Sequence, residues 1–136
     1  MKILILCTGN SCRSQMAEGF LKDMYPSYEI HSAGTNPSGE VHPKAIVVMK
    51  EVGIDLSANK PKNVEVFLKT NFDFVITVCG GAKESCPTFS GKVKKHLHIG
   101  FDDPAEATGT EDEIYSTFRR VRDEIRTRFK NFDFGS

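Results

Sequence analysis

The eight residues Cys7-Thr8-Gly9-Asn10-Ser11-Cys12-Arg13-Ser14 hold a thiol, a glycine–asparagine bend, an arginine and a closing hydroxyl. These are the parts of an anion cradle with a nucleophile inside it. Gly9 and Asn10 tolerate left-handed backbone angles, so successive N–H groups can curl inward around one oxyanion. A helix beginning near Ser14 would aim its positive end at the same point. Arg13 can grip two oxygens of a tetrahedral anion, and Ser14 can donate a hydrogen bond to sulfur. Such a field predicts a depressed pKa for Cys7 and a thiolate at neutral pH. The expected oxyanion-binding set is therefore Thr8, Gly9, Asn10, Ser11, Cys12, Arg13 and Ser14, with Cys7 as nucleophile. The Cys12 side chain is expected to point away from the anion.

Chance does not explain the pattern. Four cysteines and six arginines in 136 residues give ~0.18 matches to a cysteine and an arginine at this spacing. Requiring serine or threonine next lowers this to ~0.025, before a strand ahead and a helix behind are asked for. An ordinary strand-to-helix turn with a buried cysteine needs neither the arginine nor the bend.

Two further thiols, Cys79 and Cys86, lie well along the chain. A structural zinc site usually takes ligand pairs two to four residues apart. Here four residues separate Cys7 from Cys12 and six separate Cys79 from Cys86, so no metal site is expected. The histidines have no clear ligand partners: His31 falls on a strand, His42 before a helix, and His96 and His98 alternate on a strand. Ordinary structural roles are expected for all of them.

The elements that position these groups alternate. Lys2–Leu6 reads as a buried strand and Ser14–Met24 as a helix with Met16, Ala17, Phe20, Leu21 and Met24 on one face. Tyr28–Gly34 reads as a second strand. A helix starts at Pro43 and runs to Gly53, and Asn63–Lys69 is a shorter helix candidate. Phe72–Val78 is the strongest strand signal, and Lys95–Phe101 reads as the last strand. Glu111–Phe132 is the longest helix, with Ile114, Phe118, Val121, Ile125 and Phe129 on its apolar face. The basic run Arg119 to Arg128 alternates with acids and reads as a solvated helix face. The expected fold class is α/β, a single domain over residues 1–132 with a four-stranded parallel sheet and helices on both faces; residues 133–136 form a short tail. Cys7, Cys79 and Asp102-Asp103 all follow strands and should share one edge of that sheet.

Lysine plus arginine (18) balances aspartate plus glutamate (18). No basic surplus suits a nucleic acid or an anionic membrane, and no apolar run approaches the ~20 residues needed to span a bilayer. Lys2–Leu6 is too short for a signal-peptide core. A cytoplasmic location is expected, with the cysteines held as thiols for chemistry.

The stretch CTGNSCRSQMAEG, Cys7 to Gly19, resembles the low-molecular-weight protein tyrosine phosphatase superfamily, and within it the thioredoxin-coupled arsenate reductases. The likeness extends through Ser32-Ala33-Gly34, Pro43-Lys44-Ala45, Cys79, Cys86-Pro87, Phe101 to Ala105 and Arg120 to Ile125. It implies a low-molecular-weight phosphatase-like fold and a reaction in which arsenate is reduced to arsenite for arsenic detoxification. Asp103, before Pro104, matches the family's acid, which protonates a departing oxygen; alone, Asp-Asp-Pro would read as a turn. Cys7 would form a thiol–arsenic adduct, Cys79 would displace arsenite, and Cys86 would carry the disulfide outward to thioredoxin. Catalytic roles are thus implied for Cys7, Arg13, Asp103, Cys79 and Cys86, with no bound cofactor, with phosphate or sulfate as competing oxyanions, and with a monomeric chain.

Geometry constrains the last exchange. Seven residues of helix rise ~10.5 Å, whereas a disulfide needs Cα atoms roughly 4.4–6.8 Å apart. A helix flanked by Cys79 and Cys86 must therefore unwind, and Gly80-Gly81 weakens it. A tyrosine phosphatase is the competing reading, but such phosphatases usually carry a tyrosine where Ala105 stands, and they do not need Cys79 and Cys86. A thiol redox sensor would leave Asp103 idle. Some relatives bind potassium beneath the loop through residues that correspond to Asn10, Glu18, Ser32 and a later aspartate. Lys62 falls near the last of these, its ammonium group able to stand in for the cation, and no metal site is carried over.

Overall fold

The computed structural model describes residues 1–135. Four strands, β1 (Lys2–Cys7), β2 (Glu29–Gly34), β3 (Phe72–Thr77) and β4 (Val93–His98), pair in parallel in the order β2-β1-β3-β4. The helices are α1 (Arg13–Met24), α2 (Pro43–Lys50), α3 (Gly80–Ser85) and α4 (Glu111–Lys130). From β1 the chain steps one way to β2, and from β3 it steps the other way to β4. Right-handed crossovers therefore set α1 and α3 on opposite faces, and the ligand-binding crevice of such a sheet opens between β1 and β3.

β1 lies at the centre, and Ile3, Leu4, Ile5 and Leu6 are fully buried, which is why this strand is continuously apolar instead of alternating. β4 is an edge strand, and Lys94, Lys95 and His96 on it are exposed, a composition that discourages pairing with another chain. It begins and ends earlier than the expected Lys95–Phe101. Val93 pairs with Phe72, the ladder closes at His98, and the apolar Ile99 and Phe101 belong to the loop behind it, held by N–H bonds to Thr77 O (2.9 Å) and Val78 O (3.1 Å).

α4 starts with a reciprocal capping box between Thr110 and Glu113. Phe118, Val121, Ile125 and Phe129 are fully buried on its inner face, with Ile114 half-buried at the first turn. The expected solvated arginine face needs one correction. Arg122 is only 8% exposed; it donates to Val48 O at 2.9 Å and to Glu51 Oε1 at 2.8 Å, tying α4 to α2. α2 ends at Lys50, and Gly53 at φ 83° turns the chain away. The expected helix over 63–69 is a single 3-10 turn, Val64–Phe67. Phe134 in the C-terminal tail is buried and makes edge contacts with Tyr25, Tyr28, Phe74 and Phe132. Among the described residues no helix is long and apolar enough to cross a membrane.

Candidate active site

The parallel register of β1 and β3 pairs Leu6 with Thr77, so the residues that follow each strand emerge side by side. Cys7 and Thr8 leave one strand where Val78 and Cys79 leave the next. The Thr8 hydroxyl accordingly lies 3.4 Å from the Cys79 sulfur.

The anion loop is shaped from outside. The segment after β2 donates four N–H groups to its carbonyls: Thr35 to Cys7 O (3.1 Å), Asn36 to Thr8 O (2.9 Å), Ser38 to Gly9 O (2.8 Å) and His42 to Ser11 O (2.9 Å). A trans peptide places its C=O and N–H on opposite sides. Drawing these carbonyls outward turns the N–H groups of Thr8, Gly9, Asn10 and Cys12 inward. The Asn10 N–H meets the Cys7 sulfur at 3.0 Å. Asn10 itself takes φ 51° and is fully buried. Its side chain donates to Ser14 Oγ (2.8 Å) and Ser32 Oγ (2.9 Å) and accepts from Gln15 Nε2 (3.2 Å) and the Lys62 N–H (2.9 Å). A Cβ on Gly34 would stand 2.4 Å from Thr8 O, so only glycine lets β2 end this close to the loop.

The Cys7 sulfur is buried, with Ser14 Oγ at 2.7 Å. The resting thiol departs from the expected thiolate. Burial pushes its pKa above the ordinary value, and the hydrogen bonds from Ser14 and from the Asn10 N–H oppose that rise without cancelling it. Arg13 stands at the mouth of the loop, where Nη1 donates to Phe101 O at 3.0 Å and Nη2 pairs with Asp103 Oδ2 at 3.5 Å. Arg13 thus draws the acid loop to the mouth of the cradle. Cys12 is packed into the core, its thiol pushed up to about 12 by burial.

Within the carboxyl pair the two members part ways. Asp103 faces Arg13, and its Oδ1 accepts the Ala105 N–H at 3.0 Å. Asp102 points outward and pairs with Arg120 at 3.2 Å. Cys79 caps α3, accepting the Ala82 N–H at 3.3 Å, and Cys86 closes the same helix. Ala82 is the one buried residue of α3. Burial raises the pKa of the half-buried Cys86, which opens onto a groove of about 500 Å³ lined by Pro87, Phe89, Val93 and His96.

Asn10 Oδ1 already takes two donors, and among the described residues no three His, Cys, Asp or Glu side chains gather as metal ligands. Lys62 enters the network through its main-chain N–H. The ammonium group that meets Glu18 is that of Lys22, at 3.2 Å, and Glu18 Oε1 is buried without a partner.

Residues 2–133 match the family described as "Low molecular weight phosphotyrosine protein phosphatase". The chain belongs to that family. Within it, the chain is 50% identical over 131 residues to an arsenate reductase of Shouchella clausii, covering 96% of this chain and 93% of the relative. An arsenate reductase of Bacillus subtilis is 48% identical with the same coverage. A solved structure described as "An arsenate reductase in the phosphate binding state" superposes with a TM-score of 0.80 at 34% identity, covering 96% of this chain and 94% of the other. The four-stranded parallel architecture read from the sequence is this family's fold.

The helper segment 35–42, Gln15 and the Ser32 hydroxyl's hold on Asn10 are contributions to the loop that spacing along the chain does not reveal. The turn signal at Pro37-Ser38-Gly39 marks a loop but does not say whose carbonyls it will meet.

Proposed function

We propose that this chain reduces arsenate to arsenite through a thiol–arsenic adduct and a three-cysteine relay, with thioredoxin as the final reductant. The observation that carries the reading is the placement of Cys79 against Thr8 of the anion loop, with Cys86 at the far end of the same short helix. The arsenate reductase relatives, and the phosphate-bound state of one of them, support arsenate as the anion. Phosphate and sulfate compete for the same cradle.

The inward N–H groups hold the arsenate oxygens, and Arg13 closes the mouth. Cys7 sulfur attacks arsenic, and its proton, with one from Asp103 or solvent cycling through that carboxyl, leaves with an arsenic oxygen as water. Cys79 sulfur then attacks Cys7 sulfur. The S–As bond breaks, its electron pair stays on arsenic, and arsenite departs with the thiol proton. Arsenic gains two electrons and the two thiols lose two. Cys86 next attacks Cys79, Cys7 regains a proton as it leaves, and the Cys79–Cys86 disulfide reaches the surface as α3 unwinds. Thioredoxin returns both sulfurs to thiols, so no resident cofactor is required. The chain works as a cytoplasmic monomer in this scheme.

Single-turnover arsenite release with mass-spectrometric disulfide mapping tests it. Cys7→Ser abolishes arsenate reduction and any aryl-phosphatase side activity. Cys79→Ser stops at the adduct. Cys86→Ser releases about one arsenite per chain and holds a Cys7–Cys79 disulfide. Steady multiple turnover with thioredoxin in Cys86→Ser would sink the relay and leave the anion site intact.

A further inference from the structure

His42 stands at a junction that the reaction scheme leaves unused. Its main-chain N–H donates to Ser11 O at 2.9 Å. Its ring Nδ1 accepts the Lys44 N–H at 3.1 Å and so caps α2, while the ring lies against Phe118 with centroids 4.9 Å apart. A nitrogen that accepts carries no hydrogen, so the neutral ring bears its proton on Nε2. The cap fixes the direction of the His42 main chain. That direction turns Ser11 O outward and, across the same peptide plane, the Cys12 N–H into the anion loop.

We propose that His42 is a positioning residue of the oxyanion loop that acts only as its neutral Nε2–H form, so that a second proton on the ring loosens the loop. In the imidazolium both ring nitrogens are donors. Nδ1–H would then face the Lys44 N–H donor to donor, and the cap would be lost. The charged groups facing the ring are Lys44 on α2, Glu40 on the preceding loop and Asp103 on the acid loop. α4 presents Phe118, and Glu111 takes the Lys44 ammonium at 3.4 Å. Burial first, and the Lys44 charge second, hold the ring's pKa below its ordinary value; Asp103 and Glu40 oppose them. The neutral ring is therefore the form present at neutral pH, and the switch operates on the acid side of the ordinary histidine range.

The inference rests on the loop being the oxyanion site, which inorganic phosphate reports without any arsenate chemistry. Calorimetric titration of phosphate into the wild type, His42→Ala and His42→Asn tests it. Asparagine can accept the Lys44 N–H but does not titrate. Near pH 8, His42→Ala should bind phosphate ~3–10-fold more weakly, and His42→Asn should recover most of that loss. Between about pH 8 and pH 5.5 the wild type should lose a further ~3–10-fold relative to His42→Asn. The ionisation of phosphate is common to both proteins and cancels in the ratio. Long-range proton–nitrogen NMR of the ring should show the Nε2–H tautomer. Equal affinities for the wild type and His42→Ala, parallel pH profiles for the wild type and His42→Asn, or an Nδ1–H tautomer would each overturn the inference. Phosphate that failed to bind the wild type would remove the loop reading itself.

Discussion

The Ser14 hydroxyl lies 2.7 Å from the Cys7 sulfur, in the first turn of α1, and the Asn10 N–H meets the same sulfur at 3.0 Å. The hydroxyl is the strongest of the groups that lower the Cys7 pKa against the rise caused by burial. Ser14→Ala should therefore push the thiol further up. Alkylation of Cys7 should slow about tenfold or more at neutral pH, the loss expected for one hydrogen bond to a charged group, and the rate should recover as pH rises. An unchanged pH profile of alkylation would mean that Ser14 does not tune the nucleophile.

Asp103 and Asp102 are neighbours in sequence with different partners, Arg13 and Arg120. Asp103→Asn should lower arsenate turnover by ~10²–10⁴-fold, the usual range for a general acid, with melting temperature little changed. Asp102→Asn should leave turnover near the wild type. The reverse pattern in steady-state assays would reassign the acid.

α3 is anchored by one buried residue and starts with two glycines. Gly80 has open space where a Cβ would be built, whereas a Cβ on Gly81 would stand 2.7 Å from Thr8 Oγ1. Gly80→Ala should stiffen the helix by roughly 0.5–1 kcal/mol. The transfer of the disulfide from Cys7–Cys79 to Cys79–Cys86 should slow by a few-fold, while the first arsenite is released at an unchanged rate. Quench-flow disulfide mapping separates the two steps.

Glu51 joins α2 to α4 through Arg119 at 2.9 Å and the buried Arg122 at 2.8 Å. Arg119 first, and then Arg122, hold its carboxyl below the ordinary 4.5. A carboxyl whose folded pKa is depressed adds stability that is present above its unfolded pKa and is lost as pH falls through the folded value. Glu51→Gln should lower stability by about 1 kcal/mol at neutral pH, discounted for the exposure of the pair. The gap from the wild type should close as pH falls below about 4.5. A gap that persists at low pH in denaturant melts would deny the ion pair that role.

The sequence by itself determined the alternation of strands and helices, the apolar face of α4 and the chemistry held between Cys7 and Ser14. These depend on periodicity and local spacing, which need no knowledge of what lies across the fold. It also put Cys79 and Cys86 seven residues apart around the pliable Gly80-Gly81 pair; that the two thiols cap the ends of one short helix is a finding of the structure. The tertiary structure decided everything set by a neighbour distant in the chain. It decided that Thr35, Asn36, Ser38 and His42 pull the loop carbonyls outward, and that Arg13 reaches Phe101 and Asp103. It decided that burial outweighs the hydrogen bonds at Cys7, and that Arg122 leaves the solvated face for Glu51 and Val48. The physical reason is the same in each case. Hydrogen-bond direction and desolvation depend on which distant atoms the sheet register and helix packing bring within about 3 Å, and residue order alone does not contain that distance.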